Sequence, residues 1–348
     1  MNSVEGPKTS KPPSDDSAKS PRGRWLARML ELLRSETVMS WGRIEFAIDI
    51  VLSRRAETRF HRKASLNVTV LRESWHWHPL ALIHRAEARS FAEELRRAGY
   101  AVRLVRFRDD SVSGLPPGLL VLRVSDPVML AAVQTLTRSA RPFLGTGVAV
   151  MERCYDKYEA YQVATASGVD CPATALASEA STMPFPLMLK PRRGSDSIGV
   201  RLLRDGPIPA HARTDGYITQ QYVRGAELTV AVFRDRAGMP LRILLPEATP
   251  YSFFRKYLLR PHHAPLADAG LAERVRRTAL EIAGIFAVDW AARIDLIHET
   301  RTDRLRFLEC DVAPLVGANS AFAASLEAAG MSRAEQLRML LNEATDET

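Results

Sequence analysis

No stretch of this sequence approaches the roughly 20 consecutive apolar residues that a bilayer-spanning helix needs, so a membrane-embedded chain is not expected. The opening residues, "MNSVEGPKTSKPPSDDSAKSPRGR", are rich in Ser, Pro and Lys and lack the hydrophobic centre of a secretory leader. Residues 1–23 read as a disordered tail, because so few apolar side chains cannot offset the entropy of ordering the backbone. Cysteine is scarce and odd in number. Cys154, Cys171 and Cys310 have no metal-type spacing, which argues against a zinc module or a disulfide framework and favours a reduced, cytoplasmic setting. No internal repeat is visible. No nucleic-acid-binding motif accompanies the positive charge, so no nucleic-acid partner is expected.

What is present is enough apolar material for a sizeable core. The 348 residues are 46% hydrophobic and 25% charged, an ordinary globular balance long enough for two or three domains. The net charge is +8, much of it in residues 1–63, with "SRRAETRFHRK" (53–63) the densest basic run. Attraction to nucleic acid or an anionic membrane is one reading; the solvated face of an arginine-rich helix is the plainer one and is favoured. Residues 24–63 read as a helical extension, "RWLARMLELLRS" followed by "SWGRIEFAIDIVLSRR". In the second helix Trp41, Ile44, Ile48, Val51 and Leu52 share a stripe, and Ser40 suits an N-cap. Such helices pack on the body, pair with a second subunit to give a homodimer, or lie on a membrane; the first two are favoured over the third.

From residue 64 to 150 strands alternate with helices. "LNVTVL" (66–71), "YAVRLVRF" and "GLLVLRVSD" (118–126) read as strands. A helix starts near Pro79 and closes at Gly99, and another spans 127–138. This alternation predicts a small open parallel sheet. Beyond residue 140 hairpin-like strand pairs with interspersed helices predict an α+β body, ending in "SRAEQLRMLLNEA", where Ser332 and Glu335 form a capping-box pattern.

The stretch "KPRRGSDSIGV" (190–200) joins the apolar "FPLML" to "VRLL", so it reads as a loop between hairpin strands. It is no P-loop, since the lysine precedes the glycines and no helix pattern follows. A plain turn and a flap that presents N–H groups and hydroxyls to a polyphosphate, with Lys190 as a point charge, both fit. A second stretch, "ARIDLIHETRTDRLRFLECDVAPLVGANS" (292–320), predicts another hairpin. Positions i and i+2 of a strand face the same way. Arg293 with Asp295, and Glu309 with Asp311, therefore share faces. Pairing across "TRTDR" would bring three carboxylates and a guanidinium together, a hard-oxygen set suited to Mg²⁺ bound with phosphates. A solvated Arg–Asp face is the plainer alternative.

The ordered set of motifs resembles the ATP-grasp fold, and within it the D-alanine–D-alanine ligase group. It comprises "DK" (156–157), "LKP…GSDSIGV" (189–200), "QQYVRGAELTV" (220–230), "RKY" (255–257), "RIDL" (293–296) and "LECDVAP…NS" (308–320). The likeness covers roughly residues 140–345. It implies an α/β and α+β architecture with an N-terminal open α/β (pre-ATP-grasp) domain over 64–150. A small ATP-grasp subdomain with a phosphate lid would span 151–215, and a large subdomain with the metal site 216–348. Residue by residue it implies that Lys157 and Lys190 contact the ATP phosphates and that Gly194 to Gly199, with Ser195 and Ser197, form the lid. Gln220, Gln221 and Val223 would line the adenine hinge, and Glu227 would accept the ribose hydroxyls. Lys256 would reach the γ-phosphate; Asp295, Glu309 and Asp311 would hold a pair of Mg²⁺ ions, with Mn²⁺ as a substitute. Arg293 would stabilise the acyl phosphate and the intermediate after it, and Ser320 stands where the second substrate's carboxylate is bound.

The implied activity is ATP-dependent joining of a carboxylate to an amine through an acyl phosphate. The substrates would be an amino acid or a small specialised acid and an amine, in peptide-like metabolite or envelope biosynthesis. A kinase on the same fold and a non-catalytic ATP-binding regulator are the rival readings. The chain departs from the group at three places. Asp311 replaces the usual Asn. The loop after the first strand reads "LRESWHWHPLAL", where Glu73 is the candidate for an ammonium and Trp75, His76, Trp77 and His78 replace glycines. Leu315 replaces a glycine after Pro314. The activating half of the site is thus kept, while the half that selects substrates is rebuilt.

Overall fold

The computed structural model describes residues 66–73, 79–107, 109–180, 183–194, 197–244 and 262–342, all within one unit, Arg62–Thr348. The expected tail and helical extension, Ser195, Lys256 and the "SWHWH" segment lie outside the described residues.

The first layer is the predicted parallel sheet. β1 (Asn67–Arg72), β2 (Ala101–Arg106), β3 (Leu119–Arg123) and β4 (Phe143–Leu144) pair in the order β2-β1-β3-β4, and every pairing is parallel. β1 is buried from its second residue onward, as expected of a strand covered on both faces. The crossover helix α1 (Pro79–Arg97) begins at the predicted proline and is ended by Gly99 at φ +96°. α2 (Asp126–Arg138) follows β3, with Pro127 in its first turn.

Two short helices, α3 (Val148–Tyr155) and α4 (Lys157–Ala166), lead into an antiparallel sheet. It contains β5 (Thr174–Leu176), β6 (Leu187–Pro191), β7 (Arg201–Leu203) and β8 (Tyr217–Gln221) in the order β5-β8-β6-β7. β6 and β7 are the predicted hairpin. A boundary at 215/216 does not match this sheet: β8 pairs with β5 and β6, so the chain changes sheets between Gln221 and Ala226 instead.

The larger sheet runs β12-β11-β9-β13-β14, with β10 paired to β9. Its strands are β9 (Ala226–Phe233), β10 (Arg236–Ala237), β11 (Leu241–Leu244), β12 (His262–Pro265), β13 (Ala291–Glu299) and β14 (Arg304–Asp311). α5 (Ala269–Ile285) places Val275, Ala279 and Ile282 in the same core as Val230, Val232, Ile294 and Leu296. The last helices, α6 (Ala321–Ala328) and α7 (Arg333–Leu340), turn back to the beginning. Phe322, Leu326, Leu337 and Leu340 share one core with Val68, Val70, Phe91 and Leu95 of the first sheet and α1. The capping box at Ser332 and Glu335 forms as its spacing predicts. No helix among the described residues is long and apolar enough to cross a membrane.

Candidate active site

The β13–β14 hairpin brings together the charges that strand alternation predicts. Arg293 lies opposite Asp311 and Asp295 opposite Glu309, with the register shifting just beyond Asp295. The Arg293 guanidinium stands among the three carboxylates, 3.1 Å from Asp295, 3.4 Å from Asp311 and 4.0 Å from Glu309. Thr229, on the neighbouring β9, donates to Asp295 at 2.7 Å. Burial raises the Asp295 carboxyl to about 6, with Glu309 and Asp311 adding to the rise and Arg293 and the Thr229 hydroxyl opposing it. Burial works against the Arg293 charge, but Asp295, Asp311 and Glu309 outweigh it and hold its pKa well above the ordinary value.

One guanidinium does not neutralise three ionised carboxylates. Among the described residues no three acidic, His or Cys side chains meet as an assembled metal shell. The donor set itself fits a hard divalent cation: carboxylate oxygens only, in a part-buried place where burial, with Glu309 and Asp311 adding, raises Asp295.

The lysines come from the other side. Lys157 is the first residue of α4, held there by Asp156, whose side chain accepts the backbone N–H groups of Tyr158 and Glu159. Its Nζ donates to the Gly194 carbonyl. Asp156 is buried and also binds Arg192 at 2.8 Å and Arg193 at 3.2 Å, which ties the base of the lid to the start of α4. Burial raises the Asp156 carboxyl, but the Arg192 bond, the Glu159 N–H and the two arginine charges prevail and bring it below the usual range. Lys190, next to last in β6, donates to the Gln220 side-chain oxygen at 2.7 Å, while the Gln220 amide donates to Thr174 at 3.1 Å. Burial lowers the Lys190 pKa, Lys157 adds to the fall, and Glu309, Glu227 and Asp295 oppose it. In the loop between β6 and β7, Gly194, Ser197 and Gly199 all adopt positive φ.

Two cavities meet at Lys157. An open cleft is lined by Lys157 and Gly194 on one side and Arg293, Glu309 and Asp311 on the other. Its remaining wall is His84 of α1, Met151, Cys154 and Tyr155 of α3, Cys310 of β14, and Val312, Ala313 and Leu315 beyond it. A smaller pocket of about 260 Å³ lies between the two antiparallel sheets, lined by Lys190, Ile218, Gln220, Tyr161, Phe307 and Leu308.

Not every expected residue reaches these cavities. Gln221 is exposed on the strand face opposite Gln220, and Val223 is buried; neither lines the smaller pocket. Ser320 caps α6, accepting the Ala323 N–H at 3.1 Å, and lies outside the cleft lining. Glu227 is the second residue of β9; burial raises its carboxyl to about 7, Asp295 and Glu309 add to this, and Lys190 opposes it. Glu73 is fully buried, and its Oε2 accepts the Ser125 N–H at 2.8 Å and hydroxyl at 2.5 Å. His84, Met151, Cys154 and Tyr155 escaped sequence reasoning. They sit on helices whose apolar stripes read as ordinary core, and no motif marks them.

Comparison with known proteins agrees with this geometry. Residues 154–243 match the model of the ATP-grasp domain. A D-alanine–D-alanine ligase of Nitrosospira multiformis is 27% identical over 58% of this chain and 70% of its own length. One of Acidiphilium cryptum is 30% identical over 66% of this chain and 82% of its own. This chain belongs to the D-alanine–D-alanine ligase family of ATP-grasp proteins. It is therefore an ATP-using ligase that forms C–N bonds. Solved structures share the family fold. A D-alanine–D-alanine ligase from Bacillus anthracis, complexed with ATP, superposes with a TM-score of 0.67 at 16% identity, covering 81% of this chain and 97% of its own. A D-Ala:D-Ser ligase from Enterococcus faecalis gives 0.63 at 14% identity, covering 80% and 99%.

Proposed function

We propose that this ligase activates a carboxylic acid by phosphorylation from ATP and joins it to an amine, releasing ADP and phosphate. The acid is an amino acid or a small specialised acid, and the product a peptide-like metabolite or envelope component. One observation carries the reading: Arg293, Glu309 and Asp311 stand in one open cleft with Lys157 and the loop residue Gly194.

In this reading Gln220 and Glu227 receive the nucleoside, and Lys157 and Lys190 with the lid receive the phosphates, Lys190 from the adenine side. Lys256 and Ser195 are assigned to the phosphates by resemblance alone, as Gln221 and Val223 are to the hinge and Ser320 to the acceptor. Asp295, Glu309 and Asp311 would hold a pair of Mg²⁺ ions, or Mn²⁺ in their place, which supply charge neutralisation at the phosphates. A substrate carboxylate oxygen attacks the γ-phosphorus in line, and the bond to ADP breaks. The amine nitrogen then attacks the acyl carbon, phosphate leaves, and the nitrogen loses a proton. Arg293 faces the oxyanion that develops between these events. Closure of the 194–199 loop excludes water that would otherwise hydrolyse the acyl phosphate. A homodimer formed through residues 24–63 belongs to the same proposal.

The test is ADP release from ATP and Mg²⁺ across single and paired L- and D-amino acids and other small acids, with product masses measured. The expected result is release that needs two partners and a product equal to their sum less water. Arg293→Ala is expected to abolish product while keeping ATP affinity within about threefold of wild type. Release with one partner and a phosphorylated mass would replace the ligase reading by a kinase.

A further inference from the structure

The loop between β14 and α6 is gripped by two carboxylates of α1 that belong to none of the motifs above. Glu87 and Glu94 are two helical turns apart and so project from the same face. Glu87 Oε1 accepts the backbone N–H of Val316 at 3.1 Å and of Gly317 at 3.0 Å. Glu94 Oε1 accepts that of Ala318 at 3.1 Å. Two arginines complete the grip. Arg123, at the end of β3 and 1% exposed, donates to both Glu87 oxygens at 3.0 and 3.1 Å and to the Pro314 carbonyl at 2.9 Å. Arg333, opening α7, donates from Nε to Glu94 at 2.9 Å, from Nη2 to the same carboxylate, and to the Val316 carbonyl at 2.8 Å.

Three consecutive N–H groups and two carbonyls of residues 314–318 are thus satisfied by four side chains from elsewhere in the fold. Leu315, inside this run, lines the cleft together with Arg293 and His84. We propose that Glu87 and Glu94 are positioning residues that fix the 314–318 loop and, through it, set Leu315 against the acyl centre. The proposal rests on the ligase reading for what Leu315 faces; the grip itself does not depend on it. Small displacements at a reacting centre cost large factors in rate. A loop secured by charge-assisted bonds on both edges resists such displacement. Leu315 then acts as a fixed wall of the cleft.

The experiment is hydrogen–deuterium exchange with mass spectrometry on the full chain, read at peptides covering 314–318 and, as a control, β1. Glu87→Ala and Glu94→Ala are expected to speed exchange in the loop by about tenfold or more while β1 stays at its wild-type rate. Glu87→Gln and Glu94→Gln keep an oxygen acceptor and are expected to recover most of the protection. Unchanged loop exchange in both alanine variants would overturn the proposal. Should the alanine variants fail to fold, Arg333→Ala at the more exposed end decides, with faster loop exchange expected and an unchanged rate overturning it. ATP·Mg²⁺ affinity is measured in the same samples. A wild-type chain that does not bind it would overturn the ligase reading, and the exchange comparison would still decide the grip.

Discussion

At the scale of single residues, ionisable groups in and beside the cleft are held away from their ordinary behaviour by burial and by one another. Glu227 shows the consequence for stability. Its carboxyl is raised from 4.5 to about 7, chiefly by burial. Across that interval the native state keeps a proton that the unfolded chain has released. The contribution of this group is therefore most favourable at low pH and is lost as pH rises to about 7. Glu227→Gln removes the titration. The variant is expected to gain stability relative to wild type on going from about pH 5 to about pH 8, as read from urea midpoints at each pH. A difference that does not change with pH would show that Glu227 ionises freely in the native state. Gln220 carries a simpler lesson. Strand alternation alone places it and Gln221 on opposite faces, so only one of the pair can reach the pocket with its side chain.

Among the elements, the β6–β7 hairpin with its lid depends most on backbone conformation. Gly199 has φ +75°, and a Cβ there would lie 2.9 Å from Pro191 Cγ. Gly199→Ala is expected to strain the lid base by about 1 kcal/mol or more. ATP should bind about fivefold or more weakly, a change that isothermal titration would detect; wild-type affinity would show that the lid does not need this turn. Elements with a period or a cap were legible in the sequence. The β13–β14 pairing follows from alternating Arg293/Asp295 and Glu309/Asp311 about a polar turn, and α7 from its capping box. The allegiance of β8 was not legible, since "YITQQ" specifies a strand and not which sheet receives it. Neither was the grip on the 314–318 loop. Glu87 and Glu94 look like the polar face of a solvated helix until the C-terminal part of the chain folds over them.

Over the whole molecule, the pocket proposed for the nucleotide is a seam. Lys190, Ile218 and Gln220 come from the smaller antiparallel sheet, Phe307 and Leu308 from the larger, and Tyr161 from α4. A ligand seated there ties three parts together and binds only the folded chain. ATP·Mg²⁺ is accordingly expected to raise the thermal midpoint progressively with concentration, by the equivalent of about 2.7 kcal/mol at a hundred times its Kd. A midpoint indifferent to ATP·Mg²⁺ would remove the nucleotide from this seam. The shared core of the first sheet with α6 and α7 also bears on how the chain is made. Phe91 and Leu95 emerge from the ribosome roughly 250 residues ahead of Leu337 and Leu340, which share their core in the finished protein. At about 5–20 residues per second, that wait lasts on the order of ten seconds or more. Through that time the nascent N-terminal layer presents a greasy face and unpaired buried-to-be carboxylates. Safe production of this enzyme therefore calls for a holdase until the last helices arrive.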